Sequence, residues 1–315
     1  MMKDFQNTKT ILLILAIISF TNSYSCDLCG CTTSSGSASF GDLQMTSFVG
    51  LRYIYQTYES KNGIFDNSPT SEEQFNTYQL WARVPLGKSF YVSAILPYQD
   101  LSRKFQGNTE SINGVGDMTL IGWYNLKIYK SNSENKEAID FSTNKELTGH
   151  SFNFGLGVKA PTGKFEEELT DRVNPGFQVG TGSWDAIVTV MYNYGNNNLG
   201  LNTTFAYYLK SENKNEYRFG NQFSVSSNLF YKLKTKKMDI SPFVGVSGDV
   251  YDSIEQYGET LADTNGHLYN CSLGSEFNLK DFQLGLQYTL PIHQDFFGGN
   301  VEAKNRFSVY LNYKL

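Results

Sequence analysis

The last ten residues of the chain, RFSVYLNYKL, alternate strictly between two kinds of side chain. Successive side chains of a β-strand point to opposite faces, so this period of two predicts a strand with one apolar face and one largely polar face. The apolar face needs a partner, which is either the core of a soluble sheet or the lipid of a membrane. The apolar positions are Phe307, Val309, Leu311, Tyr313 and Leu315.

The same alternation recurs along most of the chain. It is regular in LGLNTTFAYYLK (199–210) and in FQLGLQYTLPIH (282–293), and each segment has about the ten residues that a tilted strand needs to cross a bilayer. The pattern predicts an all-β fold, an antiparallel transmembrane β-barrel of about 12 strands, an even number that returns the chain to its starting side. The predicted strands lie near 42–58, 74–86, 89–101, 115–129, 150–161, 183–194, 199–210, 216–233, 239–252, 267–279, 282–293 and 306–315.

A soluble β-sandwich is the alternative fold for such a pattern. Sandwich strands are typically five or six residues long, whereas the predicted strands are about twice that length and carry aromatic residues near their ends. Aromatic residues make up 15% of the chain and charged residues only 18%, which suits the aromatic girdles of a membrane barrel. The formal charge of −5 excludes the basic surface that nucleic-acid binding requires, so no nucleic-acid partner is expected.

The first 25 residues read as a secretory signal peptide. Lys3 and Lys9 supply positive charge, residues 11–20 are apolar, and Ser23 and Ser25 are small residues at the positions that a signal peptidase requires. An apolar run of ten residues is too short to span a bilayer as a helix, and no second run follows. The predicted organisation is therefore a signal peptide (1–25), a flexible periplasmic tether containing cysteines (26–41), and a barrel (42–315) in the bacterial outer membrane, where lipid is its first partner.

The lengths of the predicted connections orient the barrel. Short connections near 86–89, 195–198, 234–239 and 279–282 alternate with long ones near 60–73, 102–114, 162–182, 253–266 and 293–305. Short turns face the periplasm and long loops face outside. The polar segment 131–149 breaks this rule, because it is long and falls on the predicted periplasmic side; we interpret it as a disordered insertion.

Four segments resemble a known family of outer-membrane barrels. They are ARVPLGKSFYVSAILPYQD, NGVGDMTLIGWYNL, GLGVKAPTGKF and GFQVGTGSWDAIVTVMYNYG, which occur in this order within residues 75–232. The family is that of the meta-pathway phenol degradation proteins. The resemblance implies a transporter-like barrel associated with uptake of aromatic or other apolar compounds, and it implies no set of catalytic residues.

Period two also predicts which charged side chains point into the lumen. A charge on the lipid face is unfavourable, so charged positions of one parity are expected to face inward. Such residues could form a binding or conduction path for a small solute, or they could fill a narrow barrel as structural ion pairs. The lumen-lining candidates are Arg52, Arg83, Asp117, Lys159, Asp185, Arg218 and His293.

Catalysis is not expected, although some outer-membrane barrels are lipases or proteases. The chain contains only three histidines, His150, His267 and His293. His150 and Ser151 are adjacent and so point to opposite faces of a strand, and no G-x-S-x-G motif occurs. The sequence therefore predicts a protein that is not an enzyme.

Cys26, Cys29 and Cys31 would begin the mature protein as C-x-x-C-x-C in an oxidising compartment. Three hypotheses remain open: one disulfide with passive thiols, a soft-metal site for copper or zinc, and a lipid anchor on Cys26. No other cofactor is expected, and the tether could also bind a periplasmic protein. The predicted function is a channel that passes or binds a small solute; the alternative is a structural or metal-associated outer-membrane protein that uses this tether and transports nothing.

Overall fold

The computed structural model describes residues 43, 47–61, 69–128, 149–169, 172–196 and 198–315. Long antiparallel strands dominate these residues and run up and down in chain order. The strands are β1 (Phe48–Lys61), β2 (Thr70–Pro85), β3 (Phe90–Phe105), β4 (Asn108–Val115), β5 (Met118–Ile128), β6 (Gly149–Ala160), β7 (Asp185–Asn196), β8 (Leu199–Lys210), β9 (Gln222–Tyr231), β10 (Asp239–Tyr251), β11 (Gly266–Leu279), β12 (Phe282–Phe296) and β13 (Val301–Lys314).

These strands close into a barrel. Each pairs with its successor, and β13 pairs with β1, so the sheet has no first or last strand. β4 and β5 both pair with β3 and are separated only by Gly116 and Asp117, so together they occupy one position in the wall. The prediction of a 12-strand antiparallel barrel is therefore confirmed.

Short elements decorate the ends of the barrel. Glu168–Leu169 pairs with Arg172–Val173 between β6 and β7, and Leu233–Lys234 pairs with β10. A small sheet joins Tyr217–Arg218, Glu255–Gln256 and Glu259–Thr260, and a 3-10 turn (Phe297–Gly299) links β12 to β13. None of the described residues belongs to a helix that is long and apolar enough to cross a membrane.

The barrel wall has the polarity of a membrane barrel rather than of a soluble protein. Leu51, Leu156 and Leu273 point outward and are 64 to 70% exposed, whereas Asn202 and Gln283 point inward and are fully buried. Because the interior carries the polar side chains and the exterior carries the apolar ones, the wall matches a lipid surround. A closed antiparallel barrel of this polarity is the architecture of the bacterial outer membrane.

Two of the predicted long loops are wrong. The segment near 102–114 was expected to be a loop, but β3 and β4 continue through it as a hairpin with a two-residue turn. Gln106 and Gly107 have φ of 47° and 86°, the left-handed values that such a turn requires. The connection near 293–305 shortens in the same way, because β12 extends to Phe296 and β13 begins at Val301.

Two other predictions concern segments that are not regular barrel strands. The strand expected near 216–233 begins only at Gln222, because the residues before it belong to the small outer sheet. The insertion expected at 131–149 lies outside the described residues except for Gly149, which begins β6. The signal peptide and the cysteines of the tether also lie outside the described residues.

Candidate functional site in the barrel lumen

Five of the predicted lumen residues lie in the barrel interior. Arg52 is on β1, Arg83 on β2, Lys159 on β6 and Asp185 at the start of β7, and all four are buried. Asp117 is also buried, in the break between β4 and β5. The structure thus brings charges of both signs into one enclosed space.

Arg218 does not line the lumen. It lies in the small outer sheet, beyond the end of β9, where its guanidinium donates hydrogen bonds to the carboxylate of Glu255. The prediction was wrong because the period-two pattern was extended across a turn that precedes the strand. The buried residue of this pair is the neighbouring Tyr217.

His293 does not line the lumen either, because a β-bulge changes the parity of β12. Asn270 pairs with Pro291 but Tyr269 pairs with His293, so Ile292 is an extra residue in the strand. The bulge turns His293 outward, where its ring stacks on Tyr269 and lies 5.1 Å from the His267 ring. One inserted residue therefore moves the imidazole from the predicted inner face to the lipid face.

Guanidinium groups and aromatic rings alternate at the periplasmic end of the lumen, which is the end with the shorter turns. Phe48 and Trp81 have ring centroids 4.3 Å apart, and Trp81 and Tyr310 are 5.6 Å apart. The Arg52 guanidinium lies 4.7 Å from the Trp81 ring, and the Arg83 guanidinium lies 5.2 Å from the ring of Tyr91. We call Phe48, Arg52, Trp81, Arg83, Tyr91 and Tyr310 the arginine–aromatic layer.

This layer closes the lumen by contact with the opposite wall. Trp81 and Tyr310 share one apolar cluster with Phe230 of β9 and Phe243 of β10, which lie across the barrel from β2. Leu43, which precedes β1, completes the cluster and is buried. The described rings therefore span the lumen rather than lining an open pore.

Glu276 is the carboxylate at the edge of this cluster. It is fully buried on β11 and accepts hydrogen bonds from the Tyr310 hydroxyl and from the backbone N–H of Leu43. Gln283 donates a third hydrogen bond to it at 3.1 Å. The Glu276 carboxylate thus connects the segment before β1 to the barrel wall.

A polar level lies further out along the lumen. Arg306 donates to the side chain of Gln56 at 2.7 Å. Asp249 accepts hydrogen bonds from Ser224 and Gln222, and it interacts electrostatically with Arg306. Since three strand boundaries separate β10 from β13, the interaction between Asp249 and Arg306 crosses the lumen.

Asp117 joins the barrel wall to the connection between β6 and β7. Its carboxylate accepts hydrogen bonds from the backbone N–H of Gly163 at 3.0 Å and from that of Thr181 at 2.9 Å. The Thr181 hydroxyl donates to the same carboxylate at 2.7 Å, and the Lys159 ammonium lies 3.4 Å away. One buried side chain therefore holds two separate points of the same loop.

Asp185 extends this network to the next strands. Its carboxylate lies 2.6 Å from the Lys159 ammonium and 3.1 Å from that of Lys210 on β8. Ser183 donates a hydrogen bond to it at 3.0 Å. Two carboxylates and two ammonium groups balance in charge, as buried ionic groups must. We call Asp117, Lys159, Thr181, Ser183, Asp185 and Lys210 the loop latch.

Glycines make the latch compact. The N–H of Gly180 donates to the carbonyl of Lys164 at 2.8 Å, which brings the two arms of the loop together. A β-carbon added to Gly180 would lie 2.5 Å from the carbonyl of Gly163, closer than any side chain tolerates. The close approach of these backbones therefore requires glycine at this position.

The loop held by the latch covers the outer mouth of the barrel. Its residues Phe177 and Val179 pack in one buried apolar cluster with barrel side chains such as Phe75 and Leu101. Further loop residues complete this cluster, which we call the outer cap. The cap residues are Tyr58, Phe75, Leu101, Ile112, Phe177, Val179, Tyr217, Phe219, Ile254, Leu268, Phe296, Phe297, Val301 and Ala303.

The model of a protein family described as "Putative MetA-pathway of phenol degradation" matches residues 75–308, which is more than half of the chain. The chain belongs to this family. No curated protein matches the sequence at a significant level.

Solved structures show the same fold at low sequence identity. An outer-membrane channel from Pseudomonas putida F1 has 13% identity and a TM-score of 0.60, and the match covers 87% of this chain and 98% of that one. The NanC porin gives 11% identity, a TM-score of 0.43 and coverage of 84% and 100%. The β-domain of the Bordetella autotransporter BrkA gives 9% identity, a TM-score of 0.45 and coverage of 86% and 100%.

The motifs that carry the resemblance to this family meet at the loop latch. Asp117 comes from NGVGDM, Gly163 from APTGKF, and Thr181 and Asp185 from GTGSWD, and these residues contact one another in the structure. Neither Thr181 nor Lys210 was among the lumen-lining residues predicted from the sequence. The order of the motifs could have suggested that they meet, but no local pattern predicts the contact of Leu43 with the lumen.

Among the described residues, no group of three or more His, Cys, Asp or Glu side chains is arranged to hold a metal ion. Cys26, Cys29 and Cys31 lie outside the described residues, so the soft-metal hypothesis stays a prediction. Cys271 is a free thiol on β11.

Proposed function

We propose that this protein is an outer-membrane channel that admits small solutes of the aromatic or apolar class. The observation that carries the proposal is the aromatic cluster that crosses the lumen, in which Trp81 and Tyr310 share contacts with Phe230 and Phe243. Aromatic rings give a solute ring favourable stacked and edge-on contacts, whereas a sugar finds fewer hydrogen-bond partners there. Polar groups further out keep the rest of the lumen hydrophilic.

The comparisons support this proposal. The structure from Pseudomonas putida F1 is described as an outer-membrane channel, and the description of the family names phenol degradation. A phenol is a small aromatic molecule with one polar group, which suits a lumen that combines rings with hydrogen-bond donors.

Passage requires movement at both ends of the lumen. The outer cap covers one end, and the arginine–aromatic layer with Leu43 covers the other. We therefore expect a low resting conductance and a solute-dependent increase, as in a gated conduit rather than a wide porin.

The test is uptake by a Gram-negative host that lacks its own general porins. Phenol should enter faster when the protein is present, and glucose should not. Phe243→Ala should change the rate of phenol uptake several-fold, because it removes a ring from the lumen. The matched control is Tyr257→Ala, which removes a ring that is 68% exposed in the outer small sheet region. Equal uptake of phenol with and without the protein would overturn the proposal.

A structural barrel that transports nothing is the second candidate. The filled interior favours it, because inward side chains such as Asn153, Asn202 and Gln283 are fully buried. A protein that shows neither conductance nor uptake, but whose loss weakens the outer membrane, would support this alternative. In that case the tether (26–41) would be the part that binds a metal or a periplasmic partner.

We also propose that the protein is not an enzyme. His150 contacts Tyr192 on the outer surface, and His267 and His293 contact each other there, so none of the three faces a lumenal hydroxyl. A general base for hydrolysis must lie within hydrogen-bond reach of its nucleophile. Hydrolysis of phospholipid or peptide by the refolded protein would contradict this proposal.

A further inference from the structure

The inner face of β2 carries a row of buried hydrogen-bond donors. Gln79 and Trp81 are only 1% and 8% exposed, and both point into the lumen. The indole N–H of Trp81 and the side-chain nitrogen of Gln79 have no hydrogen-bond partner among the described residues. The hydroxyl of Thr77, one step further along the same face, has none either.

These groups lack acceptors and not donors. The indole N–H can only donate, and the Gln79 oxygen already accepts a hydrogen bond from Arg52 at 2.7 Å. A buried donor without an acceptor destabilises a folded protein, so such a row indicates a place where an acceptor binds.

Positive charge and aromatic surface surround the same row. The Arg52 guanidinium lies beside Gln79 and over the Trp81 ring, and Arg83 follows Trp81 on β2 between the rings of Phe48 and Tyr91. Glu276, the carboxylate at the edge of this level, already accepts three hydrogen bonds from Leu43, Tyr310 and Gln283. Guanidinium groups and N–H donors together select a planar anion, and the rings select an aromatic one.

We infer that the arginine–aromatic layer binds the carboxylate form of a small aromatic acid. The carboxylate accepts hydrogen bonds from Trp81, Gln79 and Arg52, and the ring of the acid packs between Trp81 and Phe48. Leu43 contacts the same rings, so a bound acid takes the place of that side chain. The inference rests on the proposed function and narrows its solute class from aromatic compounds to aromatic anions.

The test measures binding and passage separately. The full-length mature protein is purified in detergent, and binding of benzoate, benzyl alcohol and benzylamine is measured by calorimetry; the three probes share a ring and differ in charge. We expect benzoate to bind at least about tenfold more tightly than the other two, since hydrogen bonds to a charged group are the stronger kind. The same probes are then added to the protein in planar bilayers, where benzoate should pass or interrupt the current.

Two variants test the assignment of residues. Arg52→Gln should weaken benzoate binding about tenfold and leave benzyl alcohol unchanged, and Trp81→Phe, which keeps a ring but removes the N–H, should weaken it by a smaller factor. The matched control is Arg218→Gln, which removes a guanidinium from the outer small sheet and should change nothing.

The outcomes separate this inference from the proposed function. Benzoate binding without passage of any aromatic probe would support the inference and overturn the proposed function. Passage of all three probes at equal rates, with equal affinities in calorimetry, would overturn the inference and leave the proposed function standing. Equal losses of all three ligands in Arg52→Gln, or unchanged benzoate binding in a folded Trp81→Phe, would also overturn it.

Discussion

At the scale of single residues, the face on which a side chain lies decides what a substitution does. Leu286 of β12 points to lipid, so Leu286→Arg should destabilise the inserted barrel by about 2–4 kcal/mol if the position is near mid-depth, and less near an interface. The measurement is urea-induced unfolding in bilayers, followed by the heat-modifiable mobility of the folded form. Leu86→Arg is the matched control, because Leu86 is exposed in the turn between β2 and β3. Equal destabilisation by the two changes would contradict the assignment of faces.

Gly180 gives a second prediction at this scale. Gly180→Ala should separate the two arms of the loop, because the new methyl group would meet the backbone of Gly163 at 2.5 Å. We expect faster protease cleavage in the connection between β6 and β7 and a larger single-channel conductance, since the outer cap loses its support. Gly87→Ala is the control, because a β-carbon at Gly87 has no neighbour within 4 Å. Unchanged cleavage and conductance in Gly180→Ala would show that the loop does not depend on this contact.

At the scale of elements, the loop latch decides whether the outer mouth is covered. Asp117→Asn should release the loop, because an amide nitrogen would face the N–H groups of Gly163 and Thr181 and the charge beside Lys159 would be lost. Breaking a buried ion pair costs about 3–5 kcal/mol, which is enough to displace a loop without unfolding a barrel. Single-channel recording should show a larger conductance, and limited proteolysis should cut the loop.

Glu166→Gln is the control for this prediction, because it makes the same chemical change in the same loop outside the latch. Glu166 is solvent-exposed and pairs with Lys214 at 2.6 Å. The hydrogen bonds from Lys214 and Asn215 hold the pKa of Glu166 below its usual range, so it is charged at neutral pH as Asp117 is expected to be. Its substitution should leave conductance unchanged, because exposed pairs contribute little. A similar response of both variants would contradict a specific role for Asp117.

The elements also show how far period two can be followed from the sequence. Strands such as β8 keep one parity from end to end, so their faces were predicted correctly from Leu199 to Lys210. β12 could not be predicted to its end, because the bulge at Ile292 depends on the pairing of Tyr269 with His293 in a neighbouring strand. Periodicity is a local property of the chain, whereas a bulge is a property of two strands together.

At the scale of the whole molecule, the fold was predictable and the closure of the lumen was not. The number of strands and their antiparallel order follow from alternation and from turn residues such as Gly107, which are read one segment at a time. The contacts that close the barrel at both ends join residues far apart in the chain, such as Leu43 with Glu276 and Asp117 with Thr181. A sequence pattern shows which side chains point inward but not which of them meet.

The relation of the tether to the barrel gives the last prediction. Removing residues 26–37 should leave the barrel folded, since this segment precedes β1 and Leu43 remains to complete its cluster. It should abolish binding of soft metal ions, because Cys26, Cys29 and Cys31 form the thiol cluster of the chain and thiolates are the ligands that Cu(I) prefers. The mature protein is purified without reductant, its free thiols are counted, and Cu(I) is titrated without oxygen against the shortened protein. A disulfide between two of the cysteines would leave too few thiolates for the metal, and a diacylglycerol mass on Cys26 would indicate a lipid anchor instead. Equal copper stoichiometry in the two proteins would exclude the cysteine cluster as the metal site.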